Sequence, residues 1–136
     1  MRKGLRSESG ASAVEFALLL PVLMMILFGI IEFGLALYRQ AILTNASREG
    51  ARLGIVQSVP AITDAQINAV INTYLTNAGI NPGDMNPAPT ITGAGGVTGT
   101  PVRVTLTLPY TFAVLPNLTS VVPTINLRAV TEMRHE

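Results

Sequence analysis

Two carboxylates, Glu15 and Glu32, sit at the edge of and within the longest apolar stretch of this 136-residue sequence. A carboxylate in such a place costs several kcal/mol unless it is paired, protonated or able to reach water, so each calls for a chemical explanation. The remaining titratable groups offer little to catalysis. His135 is the only histidine and stands next to the last residue, where solvation is expected, so no histidine-based metal cluster or triad can be assembled. Asp64, Asp84, Glu132 and Glu136 are scattered, without a spacing suited to acid/base work. Asp64 is better explained by a helix start. Gly93-Ala94-Gly95-Gly96 lacks the following lysine and helix of a phosphate cradle. With no cysteine there is no thiolate chemistry and no disulfide framework. We therefore expect no enzyme, no cofactor and no metal.

The elements that position the two acids can be read from composition and periodicity. Hydrophobic residues make up 49% of the chain and charged residues 12%, with the apolar excess near the N-terminus, as for a chain partly housed in lipid. A net charge of +1 without a long basic block excludes a nucleic-acid surface. Phe16 to Ile31 is uninterrupted apolar sequence, and continuation past Glu32 to Tyr38 gives a membrane span over about 16–38. A cleaved signal peptide, with Arg2, Lys3 and Arg6 as its basic region and Gly34-Leu35-Ala36 at the cleavage site, fits poorly. Its apolar region would be too long, and Glu32 would lie in the recognition zone. Charge does not orient the span, because Arg39, Arg48 and Arg52 follow it as Arg2, Lys3 and Arg6 precede it. Read from its position alone, Glu32 is an acid reaching headgroup water on the outer side.

The same helix is expected to continue over 11–57, roughly 70 Å at 1.5 Å per residue, with a kink or local opening at Pro21 and an end before Pro60. Ala46, Gly50 and Gly54 leave a strip almost without side chains, read as a surface for close packing or as a point of fraying. Thr63-Asp64-Ala65-Gln66 fits a capping box, the apolar positions from Ile67 to Ala78 follow at helical spacing, and Gly79 is a natural stop. Val102 to Leu108 and Ile125 to Met133 alternate as half-buried strands, Tyr110 to Leu115 is expected to be extended, and Thr90 to Thr92 fits a short edge. The fold class is α+β: a long N-terminal transmembrane helix, then a domain over 58–136 with a second helix and an antiparallel sheet whose apolar face needs helices against it.

Gly10-Ala11-Ser12-Ala13-Val14-Glu15-Phe16, behind a short basic leader over 1–10, resembles the processing site of type IV prepilins. Together with Pro21, Ile31-Glu32-Phe33-Gly34 and Ala46-Ser47-Arg48-Glu49-Gly50-Ala51-Arg52, it makes residues 4–54 similar to the TadE-like pseudopilins, minor pilins of the tight adherence (Tad, or Flp) pilus system; beyond them the similarity is weak and rests on the closing Ala129-Val130-Thr131-Glu132-Met133-Arg134. The resemblance implies a type IV pilin-like protein in the bacterial inner membrane, with its N-terminus cytoplasmic and its distal domain periplasmic or carried into a pilus. It also implies cleavage between Gly10 and Ala11 by a prepilin peptidase, and partners among other pilins or pseudopilins and the Tad assembly machinery. Glu15, Phe16, Pro21 and Glu32 become candidates for subunit register and assembly. In a bundle of such helices, the α-amine freed at Ala11 of one subunit would neutralise Glu15 of another, and an unpaired Glu15 would penalise wrong registers. A distal domain of about 80 residues exceeds what the short major pilins of this system carry, which favours a minor pilin. The alternative is an uncleaved membrane-anchored binding module.

Overall fold

The computed structural model describes residues 5–112, 114 and 124–136, with residues 5–9 described by their backbone alone. Helix α1 spans Leu5–Gly54. It begins before Ala11 because no proline or other breaker separates residues 5–11, and Gly10 alone, at a cost of about 1 kcal/mol, does not interrupt it. It runs on as one helix across Pro21, so the opening expected there does not divide it. It stops three residues short of Gln57. The amide of Ile55 still bonds the Ala51 carbonyl, but that of Val56 turns to Leu53 in a tighter turn.

Helix α2, Asp64–Asn77, has both of its ends written locally. Thr63 accepts from the Gln66 amide while its own N–H donates to Gln66 Oε1 at 2.9 Å, completing the capping box. At the other end Gly79 adopts φ +77, and the amides of Gly79 and Ile80 bond the carbonyls of Thr76 and Leu75. This is a Schellman stop, which glycine makes without a Cβ penalty. Ile67, Ile71 and Leu75 form its buried face.

Three antiparallel strands follow, β1 (Thr90–Thr92), β2 (Pro101–Tyr110) and β3 (Ile125–Arg134), in the order β1-β2-β3. Strand β2 includes Tyr110, after which Thr111 and Phe112 are irregular, so the extended stretch ends earlier than its composition predicts; Ala113 and Leu115 lie outside the described residues. The β1–β2 connection turns at Gly93, where φ is +84 and a Cβ would lie 2.1 Å from the Pro101 carbonyl oxygen. On the outer face Arg103 and Glu132, opposite each other in the register, pair at 3.3 Å.

Val102, Val104, Leu106, Leu108 and Ala129 face inward and pack against both helices. From α1 the core takes Leu43, Ala46 and Ala51, so the distal half of the long helix is part of the domain's interior. Polar contacts fix the helix along β3: Gln40 Nε2 donates to the Arg128 carbonyl at 2.9 Å, and the Ser47 and Thr131 hydroxyls meet at 2.7 Å. The proximal half is bare. From Gly10 to Ile31 nearly every described side chain is exposed, and that stretch belongs to an apolar helix long enough to cross a membrane.

Candidate functional site

The predicted site residues fall into three groups along α1. Gly10, Ala11, Glu15, Phe16 and Pro21 lie on the bare half, all exposed, with Phe16 at 61% relative exposure. Nothing in the chain lies within 4 Å of where a Cβ on Gly10 would be. A carboxylate, an aromatic ring and a small-residue turn therefore project together from an apolar rod.

Ala46, Gly50 and Gly54 lie on the opposite, domain half, facing the interior. Ala46 is fully buried. A Cβ on Gly50 would stand 2.8 Å from Ile71 Cδ1 and Cγ1, and one on Gly54 would stand 2.8 Å from Val102 Cγ1. The strip is where α2 and β2 approach the helix backbone within the same chain.

Glu32 marks the junction between the halves. It is 2% exposed, which corrects its reading as an acid reaching headgroup water. Oε1 accepts from the Tyr110 hydroxyl in a short hydrogen bond, and Oε2 accepts from the Val114 amide at 2.6 Å. Charge-assisted bonds of this kind are among the strongest that neutral donors make, and they offset the loss of hydration. Tyr110 is itself buried, with Arg39 5.3 Å above its ring and Phe112 edge-on to it at 6.0 Å. Burial, then the hydrogen bond and negative charge of Glu32, push the Tyr110 hydroxyl up to about 12, against a smaller opposing effect of Arg39. The signal that could have found the pair was Tyr110. It continues the inward alternation of Val102 to Leu108, and a phenol buried on that face needs a polar partner.

Beside this pair a cavity of about 350 Å³ with apolar walls opens between α1 and the end of the sheet. Gly29, Phe33 and Ala36 line it from the helix and Phe112, Ile125 and Leu127 from the domain.

His135 also departs from expectation. It is 2% exposed, with Nδ1 at 3.2 Å from the Ile55 carbonyl and Nε2 at 3.1 Å from that of Gly93. Its backbone extends the strand partnership, the amide bonding Thr100 and the carbonyl accepting from Gly99. The alternation Ile125, Leu127, Ala129, Thr131, Met133, carried one step further, already places His135 on the inward face. Its ring ties the end of α1 to the glycine-rich turn.

A long apolar helix, bare along its first half and built into the core of a small α+β domain along its second, defines a rod-and-head protein suited to membrane anchoring. Residues 10–52, the rod and its entry into the head, match the family model described as TadE-like protein. No curated protein and no solved structure matches the chain.

Proposed function

We propose that the chain is a TadE-like minor pilin or pseudopilin that serves assembly of a Tad (Flp) pilus used in adhesion or secretion, a structural role without catalysis. The observation that carries this reading is the TadE-like match over residues 10–52, which takes in Gly10, Ala11, Glu15 and the membrane-length helix. In this reading the protein sits in the inner membrane with residues 1–10 in the cytoplasm and the head in the periplasm. Prepilin peptidase cuts between Gly10 and Ala11. Exposure of Glu15 on a bare apolar rod supports an intermolecular role for it: in a bundle it would need a cation, and the new α-amine of a neighbouring subunit is the natural one. Glu32 is engaged within its own chain, so its contribution to assembly is to hold the head against the rod.

The test is the mature N-terminus, measured by mass spectrometry in cells with and without prepilin peptidase. A peptidase-dependent start at Ala11 is expected; an intact Met1 in cells with active peptidase would overturn the reading. With Glu15→Ala, cleavage should persist while pilus number falls, and normal piliation would remove Glu15 from the mechanism.

A further inference from the structure

We propose that the base of the head is sunk into the leaflet on its own side of the membrane, where a lipid acyl chain fills the apolar cavity between α1 and the sheet. This rests on the reading of α1 as a membrane-crossing helix and adds a lipid-binding surface on the domain. Helix length carries the first part of the argument. Glu32 lies 17 positions beyond Glu15, about 25 Å of helix, whereas the hydrocarbon core is about 30 Å thick. With Glu15 at the inner boundary, Glu32 falls short of the outer one. The next charged residue is Arg39, 24 positions beyond Glu15, or about 36 Å along the axis. Acyl chains therefore reach the level at which the head begins.

The second part is what faces outward at that level. Phe33, Leu37 and Tyr38 are 66%, 55% and 61% exposed although Glu32 and Ala36 beside them are buried against the domain, and Phe33 and Leu37 carry that exposed surface into the mouth of the cavity. A soluble head standing clear of the bilayer would leave these side chains in water; lipid around the junction covers them. The cavity opens at the same height, from Gly29 to Gln40, and is continuous with this lipid-facing surface. Of the residues lining it only Glu32 and Gln40 are polar, and both are engaged by their own chain, so the walls suit a methylene chain better than a water-soluble ligand. Glu32 needs no water there, because Tyr110 and Val114 satisfy its oxygens. Arg39, exposed and stacked on the buried Tyr110 ring, stands beyond this level as a long cation does at a membrane interface.

The chain contains no tryptophan, so single tryptophans report position directly. The full chain carrying Phe112→Trp, Ile125→Trp, Phe28→Trp or Val97→Trp would be placed in phosphatidylcholine vesicles with bromines either high on the acyl chains or near their ends. Phe28→Trp, on the bare helix, reports whether α1 crosses. Phe112→Trp and Ile125→Trp are expected to lose most of their emission to the shallow bromines and to resist aqueous acrylamide, while Val97→Trp, on the exposed far loop, behaves in the opposite way. If Phe28→Trp is quenched by bromine but neither cavity position is, the head stands clear of the lipid and the proposal is overturned while the anchor stands. Shielding of both cavity positions from bromine and acrylamide would mean that protein covers the cavity, which also overturns it. If Phe28→Trp escapes quenching as well, anchor and seating fail together.

Discussion

Burying the Glu32 carboxylate is tolerable because both of its oxygens meet a donor, so each donor depends on it in return. Glu32→Ala removes the acceptor of the Val114 amide and leaves the Tyr110 hydroxyl only the backbone carbonyl of residue 32, at 3.5 Å, where a buried group left unsatisfied costs about 1–3 kcal/mol. Glu32→Gln can accept from Val114 and donate to the phenol, so it should cost less than half as much, as chemical denaturation in detergent micelles would show. Tyr110 gives the pH signature. Its hydroxyl, pushed up to about 12, holds its proton in the folded protein through a range where the unfolded chain, at about 10, has released it. Its contribution is therefore whole below pH 10 and is lost as pH rises from there through 12. Subtracting the tyrosinate absorbance of Tyr110→Phe from that of the native chain should isolate a late-titrating phenol among the three tyrosines. His135→Ala removes the ring from between the Ile55 and Gly93 carbonyls and should lower stability by about 1–3 kcal/mol, with faster amide exchange at the last turn of α1.

At the scale of elements, α1 and α2 pack closely because Gly50 and Gly54 have no side chains. Gly50→Ala gains about 1 kcal/mol in helix propensity but forces a methyl onto Ile71, which is fully buried and has no room to turn away. A net loss of roughly 1–2 kcal/mol is expected from overpacking of this kind, and pairing the change with Ile71→Val should recover part of it in the thermal midpoint. Elements whose instructions are local were legible from the sequence: the Thr63/Gln66 cap, the Gly79 stop, and the alternation that makes β2 and β3. Contacts between distant segments were not. Glu32 finds Tyr110 across 78 positions and His135 finds Ile55 across 80, and no periodicity within either segment names the other. The end of α1 was misplaced for the same reason: the tertiary contacts of Ile55, not Pro60, coincide with where the helix unwinds. The small-residue strip was visible, but its partner was not, since a groove of glycines suits a neighbour's backbone as well as α2.

For the whole molecule, rod and head do not separate at residue 58. A fragment beginning at Ser58 lacks Leu43, Ala46 and Ala51, which fill the centre of the core. It should remain unfolded, whereas one beginning at Arg39 should fold in water without detergent; circular dichroism and amide proton dispersion distinguish the two. The continuity of α1 from Leu5 to Gly54 also has a mechanical consequence. If subunits are pulled along the rod axis, tension travels down one continuous helix, whose hydrogen-bond column lacks the amide of Pro21, and bypasses the sheet. The head is then a passenger strapped alongside a cable, held low by the Glu32 pair, midway by Gln40, Ser47 and the shared core, and high by His135, and stretching the cable would shear those straps before it parted any strand.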